Sequence, residues 1–201
     1  MDLALFDFDH TITYVDTYSR FLRASARPGQ RKRGELSVAP WLLSYKLGLI
    51  SAPRLRARAT LVAFRDRIES EVREAGLRYA QTELPRMVRP EMLERIDWHQ
   101  SRGDAVVVVS GSLDVYLRPW CDALGLGLIC NELESESGRL TGRYHACDRA
   151  TDKAVQIRAR YDLAAYAELH AYGDSREDRP MLALARHRWF RGVPLVREAA
   201  A

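Results

Sequence analysis

The sequence predicts an α/β fold: a parallel sheet covered by helices on both faces, with a helical block inserted after its first strand. Three observations predict it. After residue 100, strand-like and helix-like stretches alternate, the pattern of parallel strands joined by crossover helices. Residues 105–109 hold four consecutive valines between a helical stretch and Ser110-Gly111, which suits a central strand buried on both faces. A second apolar run at residues 3–8 reads as a buried strand, yet residues 16–100 behind it follow a helical pattern.

The elements follow in order. The strand at residues 3–8 starts almost at the first residue. Late in the helical block, Pro90 suits a first helical position, Leu93 and Ile96 follow at helical spacing, and Gly103 can end the helix. A helix over residues 113–124 comes after the valine strand, kinked or split by Pro119. Residues 126–129 give the next strand, and Gly138 and Gly142 around Arg139-Leu140-Thr141 mark a hairpin within residues 132–144. Residues 151–161 are helical, with Ala154, Ile157 and Tyr161 on one side. A strand at 169–172 ends at Gly173-Asp174, Pro180 opens a helix running to residue 186, and residues 188–190 form a last strand. No repeat or low-complexity segment interrupts this order.

Composition narrows the function. The 201 residues are 47% hydrophobic and 29% charged, ordinary globular usage that argues against disorder or a disulfide scaffold. No apolar run reaches the roughly 18 residues of a membrane span; the best attempt, residues 36–50, contains Pro40 and Lys46. Asp2 stands where a signal peptide needs a base, which disfavours secretion. Cys121, Cys130 and Cys147 are odd in number and form no C-x-x-C, pointing to a reducing compartment and a cytoplasmic location. The net charge of +4 permits an anionic substrate without demanding nucleic acid. A P-loop, a complete dinucleotide fingerprint and an H-E-x-x-H helix are all absent from the sequence.

Four signals lie at or near the C-terminal ends of the parallel strands, the edge where open α/β sheets bind ligands. In Asp7-Phe8-Asp9-His10-Thr11, an extended chain points Asp7 and Asp9 the same way. Two such carboxylates suit a hard divalent cation, and one can attack phosphorus while the other moves a proton. Solvated turn acids would look the same. In Ser110-Gly111-Ser112, a hydroxyl and backbone N–H groups can hold phosphate, although Ser112 could equally cap a helix. Lys153, one of only three lysines, could neutralise a phosphoryl group or simply be solvated. Asp174 and Asp178 could serve a metal directly and through its surroundings, or be acids favoured at a helix start.

Taken together and in this order, the four signals resemble the haloacid dehalogenase superfamily of aspartate-nucleophile phosphatases. Its motifs are D-x-D-x-T, a strand ending in Ser or Thr, a lysine, and G-D-x-x-x-D, and the resemblance covers the whole chain. The phosphoserine-phosphatase-like subgroup (subfamily IB) is most similar. The resemblance implies a Rossmann-like core at residues 1–14 and 101–201, and a C1-type helical cap at residues 15–100. It implies Mg²⁺ as cofactor and a small phosphate ester as substrate. Asp7 would be the nucleophile, forming an aspartyl-phosphate, and Asp9 the acid and base. Thr11 would steady the loop and stand with Ser110, Gly111 and Lys153 around the phosphate. Asp7, Asp174 and the Asp9 carbonyl would hold Mg²⁺, with Asp178 behind them supporting Lys153 or a metal-bound water.

Specificity is then expected from the cap. Phosphoserine phosphatases carry a glutamate nine residues after the nucleophile; here that position is Asp16, which either faces the substrate or caps a helix. Arginines at 31, 33, 54, 56, 58, 65 and 67 read mostly as solvated faces, and residues 36–50 as a core helix or cap packing. The sharper alternative is a cap that meets a membrane surface, with a lipid phosphate such as phosphatidylglycerophosphate as substrate. A third reading, a non-catalytic nucleic-acid-binding module using the arginines, gives no reason to keep Asp7, Asp9, Lys153 and Asp174 together.

Overall fold

Leu3–Phe6 forms β1, and all four residues are fully buried, as an unbroken apolar run requires. The computed structural model describes residues 1–27, 29 and 31–195. After β1 come α1 (Thr17–Ala24), α2 (Arg31–Lys46), α3 (Ala52–Phe64), α4 (Glu69–Thr82) and α5 (Pro90–Ser101). The alternation then begins: β2 (Ala105–Leu113), α6 (Asp114–Ala123), β3 (Gly127–Asn131), the hairpin β4 (Leu133–Glu136) and β5 (Arg139–Tyr144), α7 (Lys153–Arg158), β6 (Leu169–Gly173), α8 (Arg179–Leu184), β7 (His187–Phe190) and β8 (Val193–Pro194).

The main sheet runs β3-β2-β1-β6-β7-β8 and is parallel except for β8. Phe6 lies in register with Val108 on one side and Tyr172 on the other, so the ends of β1, β2 and β6 meet at one edge. The two-residue side-chain period splits the core. Ala4, Phe6, Val106 and Val108 pack with α5 and α6 residues such as Ile96, Tyr116 and Trp120. Leu3, Leu5, Val107 and Val109 pack with Ile157, Met181 and Leu182 of α7 and α8. Helices on both faces are thus present as the sequence predicts. Pro119 lies inside α6 without dividing it, and the helix expected over residues 151–161 is confined to six residues.

The helical block leaves and rejoins the core through paired chains. Tyr14 N–H donates to Met87 O (2.9 Å), Arg89 N–H donates to Ile12 O (2.8 Å), and Thr13 faces Val88 in a bridge. Beyond this crossing, α5 lies on the sheet: His99 Nε2 meets the Tyr172 hydroxyl at 3.0 Å and its ring packs edge-on to Phe6. We therefore propose that the return to the core falls at residues 87–89, not at residue 100, and that α5 belongs with the core. The turn between α3 and α4 is also tied to the β4–β5 hairpin, by Asp66 N to Leu140 O (2.9 Å), Leu140 N to Arg67 O (2.8 Å) and Glu69 N to Gly138 O (3.0 Å).

One expectation fails in this block. Residues 36–50 form no core helix, and they pack against the rest of the cap along one edge only. No residue of α2 is buried, and Leu36, Leu43, Leu47 and Leu49 are 73%, 59%, 65% and 71% exposed. A polar and small-residue edge carries the helix against α3 instead: Arg58 donates to Ser37 Oγ (3.4 Å), lies over the Trp41 ring, and Gly34 faces Val62. Periodicity alone does not say whether an apolar residue finds a partner. Among the described residues no helix is long and apolar enough to cross a membrane.

At the opposite edge of the sheet from the strand ends, His99 and His170 stand 4.7 Å apart. His99 Nδ1 meets Asp104 (2.9 Å) and His170 Nε2 meets Asp2 (3.2 Å), while His170 Nδ1 has no partner among the described residues. Burial pulls both imidazoles below their ordinary range, against Asp104 and Asp2; His187 and Arg95 add to the depression. The unfolded chain, with imidazoles near about 6.5, therefore takes up these protons first as the pH falls. Their contribution to stability is complete above that value and is lost below it. The urea-midpoint advantage of the protein over His170→Phe is expected to shrink between about pH 7.5 and about pH 5.5; a constant gap would refute this origin.

Candidate active site

The chain turns as soon as β1 ends. Asp7 N–H still bonds to Tyr172 O (2.9 Å), but Phe8–Ile12 forms a tight helical turn, with Asp9 extended and His10 left-handed at φ 60°. Asp7 and Asp9 thus flank a turn rather than alternate along a strand, and their carboxylates bond to different groups.

Asp7 accepts from Lys153 Nζ (2.5 Å) through Oδ1 and from Thr11 Oγ1 (3.1 Å) through Oδ2. Lys153 opens α7, whose N-terminus is capped by Asp152 in a left-handed conformation. Its side chain is only 2% exposed, so the solvated alternative fails. Nζ also donates to Asp178 Oδ1 (2.6 Å) and Val109 O (2.7 Å), which matches three ammonium protons to three acceptors. Asp178 Oδ2 in turn accepts from Asp174 N (3.0 Å), Ser175 N (2.8 Å) and Ser175 Oγ (2.8 Å). Gly173 explains the glycine of its motif: a Cβ there would stand 2.6 Å from the Asp178 Cβ. Against the upward push of burial, Lys153 and the Ser175 donors hold Asp178 below the usual carboxylate range.

Asp9 is held from the other side. Its Oδ1 accepts from Thr17 N (2.6 Å) and Thr17 Oγ1 (2.6 Å), and its Oδ2 from Ser112 Oγ (2.5 Å). Thr17 is itself braced by the hydroxyls of Tyr116 (3.2 Å) and Tyr79 (3.2 Å). Ser112 does not cap a helix, because the cap position of α6 is Leu113. Ser110 Oγ accepts from Ser112 N (3.0 Å), which leaves its own proton free. Gly111 O accepts from Asn131 Nδ2 (2.7 Å), and a Cβ on Gly111 would meet Ala150 at 2.8 Å.

Burial pushes Asp7, Asp9 and Asp174 above the usual carboxylate range. Neighbouring carboxylates push the same way: Asp178 and Asp9 raise Asp7, Asp16 raises Asp9, and Asp178 raises Asp174. Asp7, Asp174 and Asp178 each present an oxygen within 4.8 Å of the others. Asp178 Oδ2 already accepts three bonds, whereas each Asp7 oxygen accepts one and the Asp174 carboxylate none among the described residues, so Asp7 and Asp174 keep the open lone pairs. An all-oxygen, anionic donor set of this kind fits Mg²⁺.

Sequence reading missed three further groups. Ser112 and Thr17 bind Asp9, and Arg56 of α3 reaches into the core, donating to Asp148 (2.9 Å) and through both terminal nitrogens to Glu177 (3.1 Å each). Arg56 is therefore not part of a solvated face. Asp16 caps α1, accepting from Ser19 N (3.2 Å) and Ser19 Oγ (2.6 Å), and also lines the cavity. That cavity, about 1210 Å³, opens from Asp7, Ser110 and Lys153 outward between α1, α2 and α3.

This fold and cluster define a doubly wound α/β protein with a buried aspartate at the end of its first strand. Residues 4–183 match the family described as haloacid dehalogenase-like hydrolase, and the chain belongs to that family. Protein CicA of Caulobacter vibrioides is 28% identical over 200 residues, covering 96% of this chain and 88% of that protein. A Bordetella pertussis Tohama I protein of unknown function has a similar fold: TM-score 0.78 and 23% identity, covering 93% of this chain and 88% of that one. A substrate-bound phosphoserine phosphatase also shares it, with TM-score 0.66 and 21% identity over 94% of this chain and 85% of that one.

Removing one partner of a buried ion pair costs about 3–5 kcal/mol. Lys153→Met is expected to lose about that much stability in urea titrations with EDTA present, because Asp7 and Asp178 are then left unpaired. A loss well under 1 kcal/mol would show that Lys153 does not hold these acids.

Proposed function

We propose that this hydrolase is a Mg²⁺-dependent phosphomonoesterase acting on a small phosphorylated metabolite through an aspartyl-phosphate on Asp7. The observation that carries the reading is the fixed Asp7 carboxylate, bonded to Lys153 and Thr11 on the floor of the cavity. An Asp7 oxygen attacks phosphorus, and the ester bond to the leaving alcohol breaks. Asp9 gives its proton to that departing oxygen. In the second half Asp9 takes a proton from water, whose oxygen attacks the same phosphorus and frees Asp7 and inorganic phosphate. The free proton of Ser110 Oγ and the Gly111 N–H meet the phosphoryl oxygens, and Lys153 balances their charge. Asp7, Asp174 and the Asp9 carbonyl would hold Mg²⁺, which would supply positive charge to the dianionic ester. Asp16, at the cavity wall, is the candidate for reading the substrate. Free thiols at Cys121, Cys130 and Cys147 suit the reducing cytoplasm.

A phosphate-release screen over phosphomonoesters, with Mg²⁺ or EDTA, tests this reading. Release is expected only with Mg²⁺, to vanish in Asp7→Asn, and to fall by about 10²–10⁴-fold in Asp9→Asn. Silence toward every ester, lipid phosphates included, would sink it.

The exposed apolar surface of α2 favours a second reading, a lipid phosphate met at the membrane surface. Leu36 and Leu43 stand two helical turns apart on one exposed face, and Leu47 and Leu49 extend it beyond the helix. Residues 31–58 carry seven basic side chains and one acid, Glu35. An apolar face flanked by base suits an anionic bilayer. Flotation with anionic liposomes at low salt is expected to carry the protein and to lose it on Leu43→Asp; no binding by the unaltered protein would remove this reading.

A further inference from the structure

The cavity wall also carries positive charge for which the proposed chemistry has no use. Arg67, in the turn between α3 and α4, lines the cavity and is only 8% exposed. Its side chain makes no hydrogen bond or ion pair among the described residues, and its Nε is enclosed without a partner. The position is not a loose one. Arg67 N donates to Phe64 O (3.0 Å), its carbonyl accepts from Leu140 N (2.8 Å), and its guanidinium lies 5.6 Å from the centroid of the Phe64 ring.

Three more arginines, Arg23, Arg27 and Arg31, line the same cavity. Few acids answer them. Glu35 is shared between Arg23 (3.6 Å) and Arg31 (3.2 Å), and Glu71 takes Arg27 (3.2 Å). Four guanidinium groups thus face two carboxylates, and the most buried of the four is the one left over. Burial and the like charge of Arg27 pull Arg67 below the usual guanidinium range, with Glu71 offsetting only part. A buried guanidinium with no carboxylate bonded to it is costly, and a ligand that brings the anion relieves that cost.

We infer that Arg67, with Arg23, Arg27 and Arg31, forms a second anion subsite for a negative group on the part of the substrate that does not react. The ligand is then a doubly anionic phosphate ester: one phosphoryl group at Asp7, and a phosphate, phosphodiester or carboxylate at Arg67. The same wall includes the apolar Leu22, Val38, Leu42 and Ala63, which suit a spacer without charge. The inference deepens the phosphomonoesterase reading and rests on it for its kinetic consequence, although binding at Arg67 does not require turnover.

The test uses three series of alkyl phosphates of varied chain length, ending in methyl, carboxylate or a second phosphate. The unaltered protein is expected to prefer a doubly anionic series in kcat/KM by about tenfold or more, the scale of one charge-assisted hydrogen bond. Whether the carboxylate or the phosphate series wins identifies the second group. Arg67→Met and Arg27→Met are expected to bring the preference close to unity, and Arg67→Lys to keep part of it. Arg78→Met, on the outer surface of α4 beside Glu74, should keep all of it. In parallel, alkyl phosphonates with and without a second phosphonate are compared by thermal shift, where the doubly charged ligand should stabilise the protein more and Arg67→Lys should narrow the difference. Equal treatment of singly and doubly charged ligands in both assays, or a preference that survives in Arg67→Met and Arg27→Met alike, would overturn the subsite. Phosphonate selectivity without hydrolysis of any ester would sustain the subsite and remove the phosphomonoesterase reading.

Discussion

One buried ammonium organises this molecule. Lys153 has left water almost completely, and its three protons are met by Asp7 from the loop after β1, by the Val109 carbonyl of β2, and by Asp178 behind β6. A lone buried charge would be far too expensive to keep, so each partner must be placed before the others are stable. The parallel register of β1, β2 and β6 does the placing, since it brings Phe6, Val108 and Tyr172 level and sets the three loops side by side. The excess of carboxylate around the one lysine gives the site its appetite for a cation and for the positive parts of a ligand.

Around that centre the site is a composite of core and helical block. Asp9 is oriented by Ser112 from the core and by Thr17 from the first turn of α1. Arg56 crosses from α3 to Glu177 and Asp148, close to Gly111. On the proposed reading, the group that would handle protons is therefore positioned partly by the element that encloses the cavity. Disturbing α1 or α3 disturbs the chemistry as well as the selection of what enters.

Much of this was legible in the sequence, for physical reasons. The strands announced themselves because valine-rich runs have few other stable environments, and Asp7, Lys153, Asp174 and Asp178 converge at the strand ends where the order of elements required. Ser112, Thr17 and Arg56 were not legible, because each acts through a contact made across a long stretch of chain: Ser112 meets Asp9 from 103 residues away and Arg56 meets Glu177 from 121. Short polar side chains at helix starts look alike whether they cap a helix or hold a carboxylate. Arginines have the same ambiguity, since Arg67 and Arg78 are indistinguishable in sequence, yet one is enclosed and the other lies in the open. For α2 the difficulty runs the other way: its apolar content suggested burial, but most of it found no neighbouring surface.

The bonds between the α3–α4 turn and the β4–β5 hairpin bear on how anything reaches Asp7. The helical block is fastened both where the chain crosses at Thr13 and Val88 and again, far from that crossing, through the backbone at Asp66, Arg67 and Glu69. A lid hung on a single hinge could swing clear; a roof nailed at two eaves cannot, unless one set of nails is drawn first. Traffic is thereby directed sideways, through the opening that α2 borders. That helix leans mainly on α3 and has no buried residue, so the least embedded part of the enclosure borders its opening.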